Sequence, residues 1–381
     1  MRSVTRSPSL TRMTARLVFP LVVVASLVAG IAGGLVRAGL VPPLDTASWL
    51  TPAIAAHAFL MICTFMGTVI GIERAVAVRH RLAFAGPLAS GVAGPLLLAG
   101  WSTASSWLVV IASVAFVAVN TVVVRRQMAA HTVLLLVAAL AWSAGSVLHA
   151  LAAPAEAVVP WWFSFLVLTI AAERLEMTRL MRRRRGSAIA LYLVFTLMLA
   201  GCALSGWQPR AGGVTYGLSL ALLAGWLTSF DIARRTVHAS GLSRYMAICL
   251  LLGYFWLFVA GAAWTATSLG RPWRDAALHA LGLGFVFSMM LGHAPVILPA
   301  IARVKILFGG YYYLPLALLH GSLALRLAGG RFDSYSLTLG AAGNALAIAA
   351  FAATVAGSAV AWRASHSSSR SRHHGDIAEN R

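Results

Sequence analysis

Apolar residues recur along this chain in long runs, broken by short polar stretches, from residue 16 to residue 362. A helix rising 1.5 Å per residue needs about 20 apolar residues to cross the hydrocarbon of a bilayer. Twelve segments suit that length: 17–40, 51–73, 83–100, 106–124, 131–152, 158–176, 187–206, 213–231, 243–268, 275–301, 311–328 and 334–362. Gly100, Ser102, Ser105 and Ser106 mark the turn that divides the third from the fourth. The pattern predicts an all-α, polytopic membrane protein with 12 transmembrane helices. A cytoplasmic segment, 1–16, precedes one transmembrane domain, 17–362, and a polar, disordered tail, 363–381, follows it.

Composition agrees. Charged residues make up only 10 % of the 381, too few to cover a soluble surface, and mean hydropathy is +0.82. The net charge of +20 would suit nucleic acid, but the basic residues sit in short clusters between apolar runs. That is the habit of cytoplasmic loops, so no nucleic-acid partner is expected. With the N-terminus inside, all but six of the 30 basic residues fall on the inside: Arg37, Arg210, Arg271, Arg274, Arg326 and Arg331 are the exceptions. This alternation predicts both termini in the cytoplasm, in a bacterial inner membrane. The run from Leu17 is too long for a signal-peptide core and lacks a clear exit site, so it reads as a first span. Cys63, Cys202 and Cys249 each lie inside an apolar run, with no CxxC or Cys/His zinc spacing.

Chemistry should reside where ionisable groups enter the membrane. Glu73, Glu173, Glu176 and Asp231 fall at cytoplasmic helix ends beside arginines, where solvated salt bridges are expected. IERAVAVR (72–79) and AERLEMTR (172–179) echo one another there, as interfacial anchors or as an old repeat. Five histidines remain inside spans: His57, His149, His279, His293 and His320. Depth along the spans sorts them into an outer trio, His57, His149 and His279, and a deeper pair, His293 and His320. On an ideal helix His293 lies about 21 Å beyond His279 and about 40° off its face.

Neutral imidazoles ligate iron, copper or zinc, and two from opposing helices can hold a haem. Haem propionates need cations, and GRPWRDAALH (270–279) supplies Arg271 and Arg274 just ahead of His279, with Arg326 and Arg331 on the same side. Pro295 and Pro299 predict a kink beside His293. Tyr311, Tyr312 and Tyr313 read as an interfacial aromatic belt, and Met61, Met289 and Met290 as packing residues.

These residues resemble a known family. HALGLGFVFSM (279–289) is similar to the tenth-helix HALTxGAxGxM motif of NnrS-type proteins, and AAHAFLM (55–61) to a reduced form of their histidine-rich second-helix motif. Twelve spans and a Leu/Arg-rich helix after the tenth also match. The resemblance covers mainly helices 2, 10 and 11. It implies a haem- and copper-containing inner-membrane protein linked to nitric oxide and denitrification, with a small gaseous ligand, surrounding lipid and a redox partner. Where that family has two histidines and a glutamate on its second helix, this chain has His57 between Ala55 and Ala58. There is a looser likeness to the main subunit of haem–copper oxidases, whose H-x-H motif the tenth helix lacks. The expectation is therefore a haem protein, with His57, His149 and His279 near the haem, Arg271 and Arg274 on the propionates, and His293 and His320 at a second metal. The rival expectation is a twelve-span secondary transporter.

Overall fold

The structure is a computed structural model that describes residues 10–40, 48–178, 186–302 and 305–379, with side chains described except at 10–19, 300–302 and 365–379. Arg2, Arg6, Arg179, Arg182 to Arg185, Arg303 and Arg381, which enter the charge argument, lie outside the described residues. Every regular element among the described residues is helical. Among the described residues eleven helices are long and apolar enough to cross a membrane. The eleventh expected span, 311–328, is a shorter helix, Tyr313–Ala328, flanked by single 3₁₀ turns at Gly310–Tyr312 and Gly329–Arg331.

The chain divides into two compact units, Met1–Ala172 and Glu173–Arg381. The first holds α1 (Leu10–Arg37), α2 (Leu50–Ala55), α3 (Gly67–Val78), α4 (Ala85–Leu98), α5 (Ser102–Arg126), α6 (Ala130–Ala150) and most of α7 (Ala155–Met177). Gly100, with φ of +89°, makes the turn between α4 and α5; Ser105 and Ser106 belong to α5 itself. Ser105 Oγ is buried and donates to the carbonyl of Ala93 at 2.6 Å, so it ties α5 to α4. Trp142 on α6 stacks on Phe165 of α7, centroids 4.8 Å apart, with Phe116 of α5 edge-on to both.

The second unit holds the end of α7, then α8 (Ser187–Leu204), α9 (Pro209–Phe230), the single turn α10 (Ala233–Thr236), α11 (Gly241–Ser268), α12 (Arg274–His279), α13 (Ser288–Ala302), α14 (Tyr313–Ala328) and α15 (Ser334–Glu379). α15 continues past 362 into the stretch expected to be disordered. Tyr312 departs from the expected belt: it is buried, and its hydroxyl meets Ser358 Oγ at 2.9 Å, while Tyr311 is half exposed.

Two of the spans are not continuous α-helices. Between α2 and α3 lies an eight-residue π-helix, Phe59–Met66, and between α12 and α13 lies another, Ala280–Phe287. Pro295 and Pro299, where a kink is expected, both lie inside α13, and an irregular segment precedes that helix. π-Helices are rare and occur mostly at functional sites. Here one begins two residues after His57 and the other directly after His279.

Glycines set a close helix contact in the second unit. A methyl group on Gly261 of α11 would lie 2.6 Å from the amide nitrogen of Ala221 and the carbonyl of Gly217 on α9; one on Gly217 would meet the carbonyl of Gly261 at 2.7 Å. Such backbone-to-backbone packing uses small residues because lipid offers no hydrophobic drive for association. Gly261→Leu should therefore force α9 and α11 apart and destabilise the protein by about 1–3 kcal/mol or more. Gly225→Ala, on α9 where nothing lies within 4 Å, should be neutral or slightly stabilising. Thermal unfolding in detergent compares the two.

Candidate functional site: the membrane histidines and their partners

Ring-nitrogen partners divide the five histidines. His57 lies just past α2 and packs on α1, where Gly30 and Gly34 form a notch. A methyl group on Gly34 would come within 2.9 Å of the imidazole Cε1. Nδ1 lies 2.6 Å from the carbonyl of Gly30. A carbonyl can only accept, so the proton sits on Nδ1 and the lone pair on Nε2.

His149, at the last turn of α6, is held by rings instead. Its centroid is 5.1 Å from that of Phe59, the first residue of the π-helix, and 5.0 Å from that of Trp162 on α7. The structure thus brings two of the expected outer trio, His57 and His149, to either side of the start of one π-helix, separated in sequence from Phe59 by two residues and by a helix-helix contact respectively.

His279 ends α12. Its Nδ1 lies 3.0 Å from the backbone carbonyl of Asp275 and 3.0 Å from Asp275 Oδ1. Arg326 on α14 grips the same carboxylate in two places, Nε to Oδ2 at 3.0 Å and Nη2 to Oδ1 at 2.7 Å. The result is a relay, Arg326 to Asp275 to His279, that again leaves the lone pair on Nε2. Metal-ligating histidines characteristically donate their other N–H to a carboxylate or a carbonyl. Asp275 was absent from the sequence-based set, though its spacing four residues before His279 on a helix puts both on one face. Of the four arginines expected to serve propionates, Arg326 is engaged by Asp275, and Arg331 lies over the Trp273 ring with its guanidinium 3.9 Å from the centroid. Arg271 and Arg274 are exposed at the head of α12.

The deeper pair has other duties. His293 Nδ1 lies 2.7 Å from the carbonyl of Met289, and its Nε2 faces Arg174 Nη1 at 3.5 Å. That guanidinium, on the last turn of α7, makes a bidentate pair with Asp231: Nε to Oδ2 at 2.9 Å and Nη2 to Oδ1 at 3.2 Å. Both side chains are buried, at 3 % and 2 % exposed. Asp231 also accepts from the amide of Ala233 at 2.7 Å and so caps α10. The solvated salt bridge expected at Asp231 is therefore a desolvated one. His320 is committed at both nitrogens. Trp256 Nε1 donates to its Nδ1 at 2.8 Å, which leaves the proton on Nε2, 3.3 Å from Ser288 Oγ; that hydroxyl donates onward to the carbonyl of Cys249 at 2.7 Å. In this arrangement neither nitrogen of His320 offers a lone pair. Among the described residues no three His, Cys, Asp or Glu side chains gather as a metal centre.

Residues 16–360 match a family described as Domain of unknown function (DUF8744). The chain belongs to the DUF8744 family. None of the curated proteins and none of the solved structures matches it. This DUF8744 protein is a multi-pass, all-α membrane protein whose spans carry two bidentate arginine–aspartate pairs and five half-buried histidines.

Removing one partner of a buried ion pair strands the other charge, at a cost of about 3–5 kcal/mol. Asp231→Ala in the DUF8744 protein should destabilise it by that order. The double variant Asp231→Ala with Arg174→Leu should recover part of the loss. Denaturant or thermal unfolding in detergent reads both, and equal losses in the single and double variants would contradict the pairing.

Proposed function

We propose that this protein binds haem in the membrane, with His279 in one unit and His57 in the other as separate candidate iron ligands, and that it serves nitric oxide-linked or related redox chemistry. The carrying observation is the state of the two rings. Each has its Nδ1 proton fixed by a neighbouring oxygen, and each lies within two residues of the start of a π-helix. That is the tautomer and second-sphere support an iron ligand needs. The NnrS-type likeness of HALGLGFVFSM (279–289) adds to this reading. Arg271 and Arg274, exposed at the head of α12, suit the propionates.

Bound haem would supply an iron centre able to take a small uncharged gas or an electron. The chain's own part is to orient the imidazoles and offer cations to the carboxylates. His149, packed against the rings of Phe59 and Trp162, lies in the same unit as His57. The deeper pair does not enter this proposal as a metal site, because His293 faces a guanidinium and His320 has both nitrogens engaged. Copper accordingly has no donor set in the proposal. We place the arginine-rich loops and both termini in the cytoplasm of a bacterial inner membrane, on the charge bias.

A secondary transporter is favoured by one observation, the buried Arg174–Asp231 pair beside His293, since ionisable groups within spans often mark ion or substrate paths. Optical spectra decide between the two. Protein purified in detergent from haem-replete cells should show a Soret band, and His279→Ala should abolish or shift it. A colourless protein that catalyses proton-dependent uptake in vesicles would favour the carrier.

A further inference from the structure

Basic side chains gather at one end of the second unit. Five of the six arginines that break the charge bias lie there: Arg210 at the head of α9, Arg271 and Arg274 at the turn from α11 into α12, Arg326 near the end of α14, and Arg331 just beyond it. Contacts join these stretches. Gly213 of α9 lies close against Ser268 of α11, the Arg331 guanidinium covers the Trp273 ring, and Arg326 holds Asp275. Two carboxylates share this end, and both are engaged. Asp275 is taken by Arg326, and Asp333 by the amide and hydroxyl of Ser336 at 2.6 and 2.9 Å. Five arginines against two aspartates leave this end strongly positive.

Aromatic side chains mark its depth. Trp207, Phe332 and Tyr335 are exposed beside the arginines. Tryptophan and tyrosine concentrate where hydrocarbon meets headgroups. Two of the apolar spans, Pro209–Phe230 and Gly241–Ser268, have an end here. The exposed Arg210 therefore stands at the level of lipid phosphates.

At this end α9 and the residue capping α11 line a groove of about 630 Å³. Gln208 and Arg210 form its polar rim, and Ala211, Val214 and Leu269 its apolar wall. The apolar wall continues beyond the groove. Leu218 and Leu222, four and eight residues past Val214, extend the same face of α9, and both are exposed. From Ala211 to Leu222 that stripe runs about 16 Å, about half the thickness of the hydrocarbon core and so the depth of one leaflet.

We propose that this groove holds an anionic phospholipid, with its phosphodiester at Arg210 and one acyl chain along Val214, Leu218 and Leu222. A cationic rim over an apolar stripe one leaflet long matches such a molecule in charge and in length. The excess of arginines selects the headgroup. Phosphatidylglycerol brings a net negative charge, whereas phosphatidylcholine brings an ammonium that the neighbouring guanidinium groups repel. The site does not rest on the haem reading, in which Arg210 and α9 take no part, and its test needs no haem.

The test uses the full chain, delipidated in detergent and titrated with phosphatidylglycerol or with phosphatidylcholine of the same acyl chains. Native mass spectrometry counts the lipids retained. Wild type should keep phosphatidylglycerol in preference to phosphatidylcholine. Arg210→Gln should weaken the tightest phosphatidylglycerol binding about fivefold, the effect of one arginine near a membrane surface. Arg244→Gln, exposed at the opposite end of α11, should leave that binding unchanged. Phosphatidylglycerol with a diazirine on one acyl chain should label residues 209–222, and Arg210→Gln should lower that labelling.

Equal retention of the two lipids, equal losses in the two variants, or labelling of 209–222 that Arg210→Gln does not change would each overturn the proposal. Displacement of the lipid by inorganic phosphate at the same concentration would make this a site for a free anion and overturn it as well. So would a dimer that sheds the lipid as it forms, which would give the groove to a second copy of the chain.

Discussion

Inside a bilayer a polar group cannot turn to water, so each one must find a partner within the chain. Much of the structure follows from that constraint. Among the described residues most backbone amides are satisfied within helices, and a few turn to side chains, as Ala233 does to Asp231. Threonine and serine hydroxyls bond back to carbonyls of their own helices, as Thr64 does to Leu60 and Thr169 to Phe165, or across to a neighbour, as Ser90 does to Cys63. The indole of Trp226 reaches the carbonyl of Ser187 on α8. Charges obey the same rule more strictly. The chain has ten acidic residues, and two of them, Asp231 and Asp275, are each taken up by a bidentate arginine. At the buried Asp231 bidentate geometry matters because a single contact would not offset the loss of hydration, whereas Asp275 is 41 % exposed.

Much of this architecture is legible in the pattern of apolar runs, because the length of a span is fixed by bilayer thickness and composition reports it directly. The helix predicted over 131–152 is α6, Ala130–Ala150, and that predicted over 187–206 is α8, Ser187–Leu204. The loops between them are marked by arginines and by glycines such as Gly100. What apolar runs do not carry is the kind of helix within them. The eight residues FLMICTFM and the eight residues ALGLGFVF are as apolar as their neighbours, so i→i+5 bonding there leaves no trace in hydropathy. It changes the geometry nonetheless. More residues per turn rotate everything downstream, so the face that His279 and His293 share on an ideal α-helix is not preserved across Ala280–Phe287. This is why residues that look aligned in sequence meet different partners.

Partner chemistry was also out of reach of depth arguments. Asp231 lies at a helix end beside basic residues, which on a soluble protein would mean exposure. Here the partner is Arg174, 57 positions earlier, and the pair is enclosed by α11 and α13. Asp275 had a readable signal in its spacing to His279, but its partner Arg326, 51 positions on, did not. Tyr312 was misassigned for the same reason: three consecutive tyrosines look like an interface girdle, yet the middle one points inward to Ser358.

The histidines then separate by a single criterion, which ring nitrogen keeps a lone pair and what faces it. His57 and His279 give their Nδ1 protons to oxygens of the chain and keep the lone pair on Nε2. His293 has the same tautomer, but its Nε2 lies against a guanidinium, which already uses the lone pair as an acceptor. His320 has the opposite tautomer, imposed by the Trp256 indole, and its proton runs into a serine and a carbonyl. His320 and its partners join α11, α13 and α14 as a hydrogen-bonded tie, and His293 joins α13 to α7. The two histidines that precede the π-helices place Nδ1 against oxygens of the chain, whereas His293 and His320 tie helices to one another. That division follows from hydrogen-bond polarity, and it is the physical reason for seeking a ligand at His57 and His279 first.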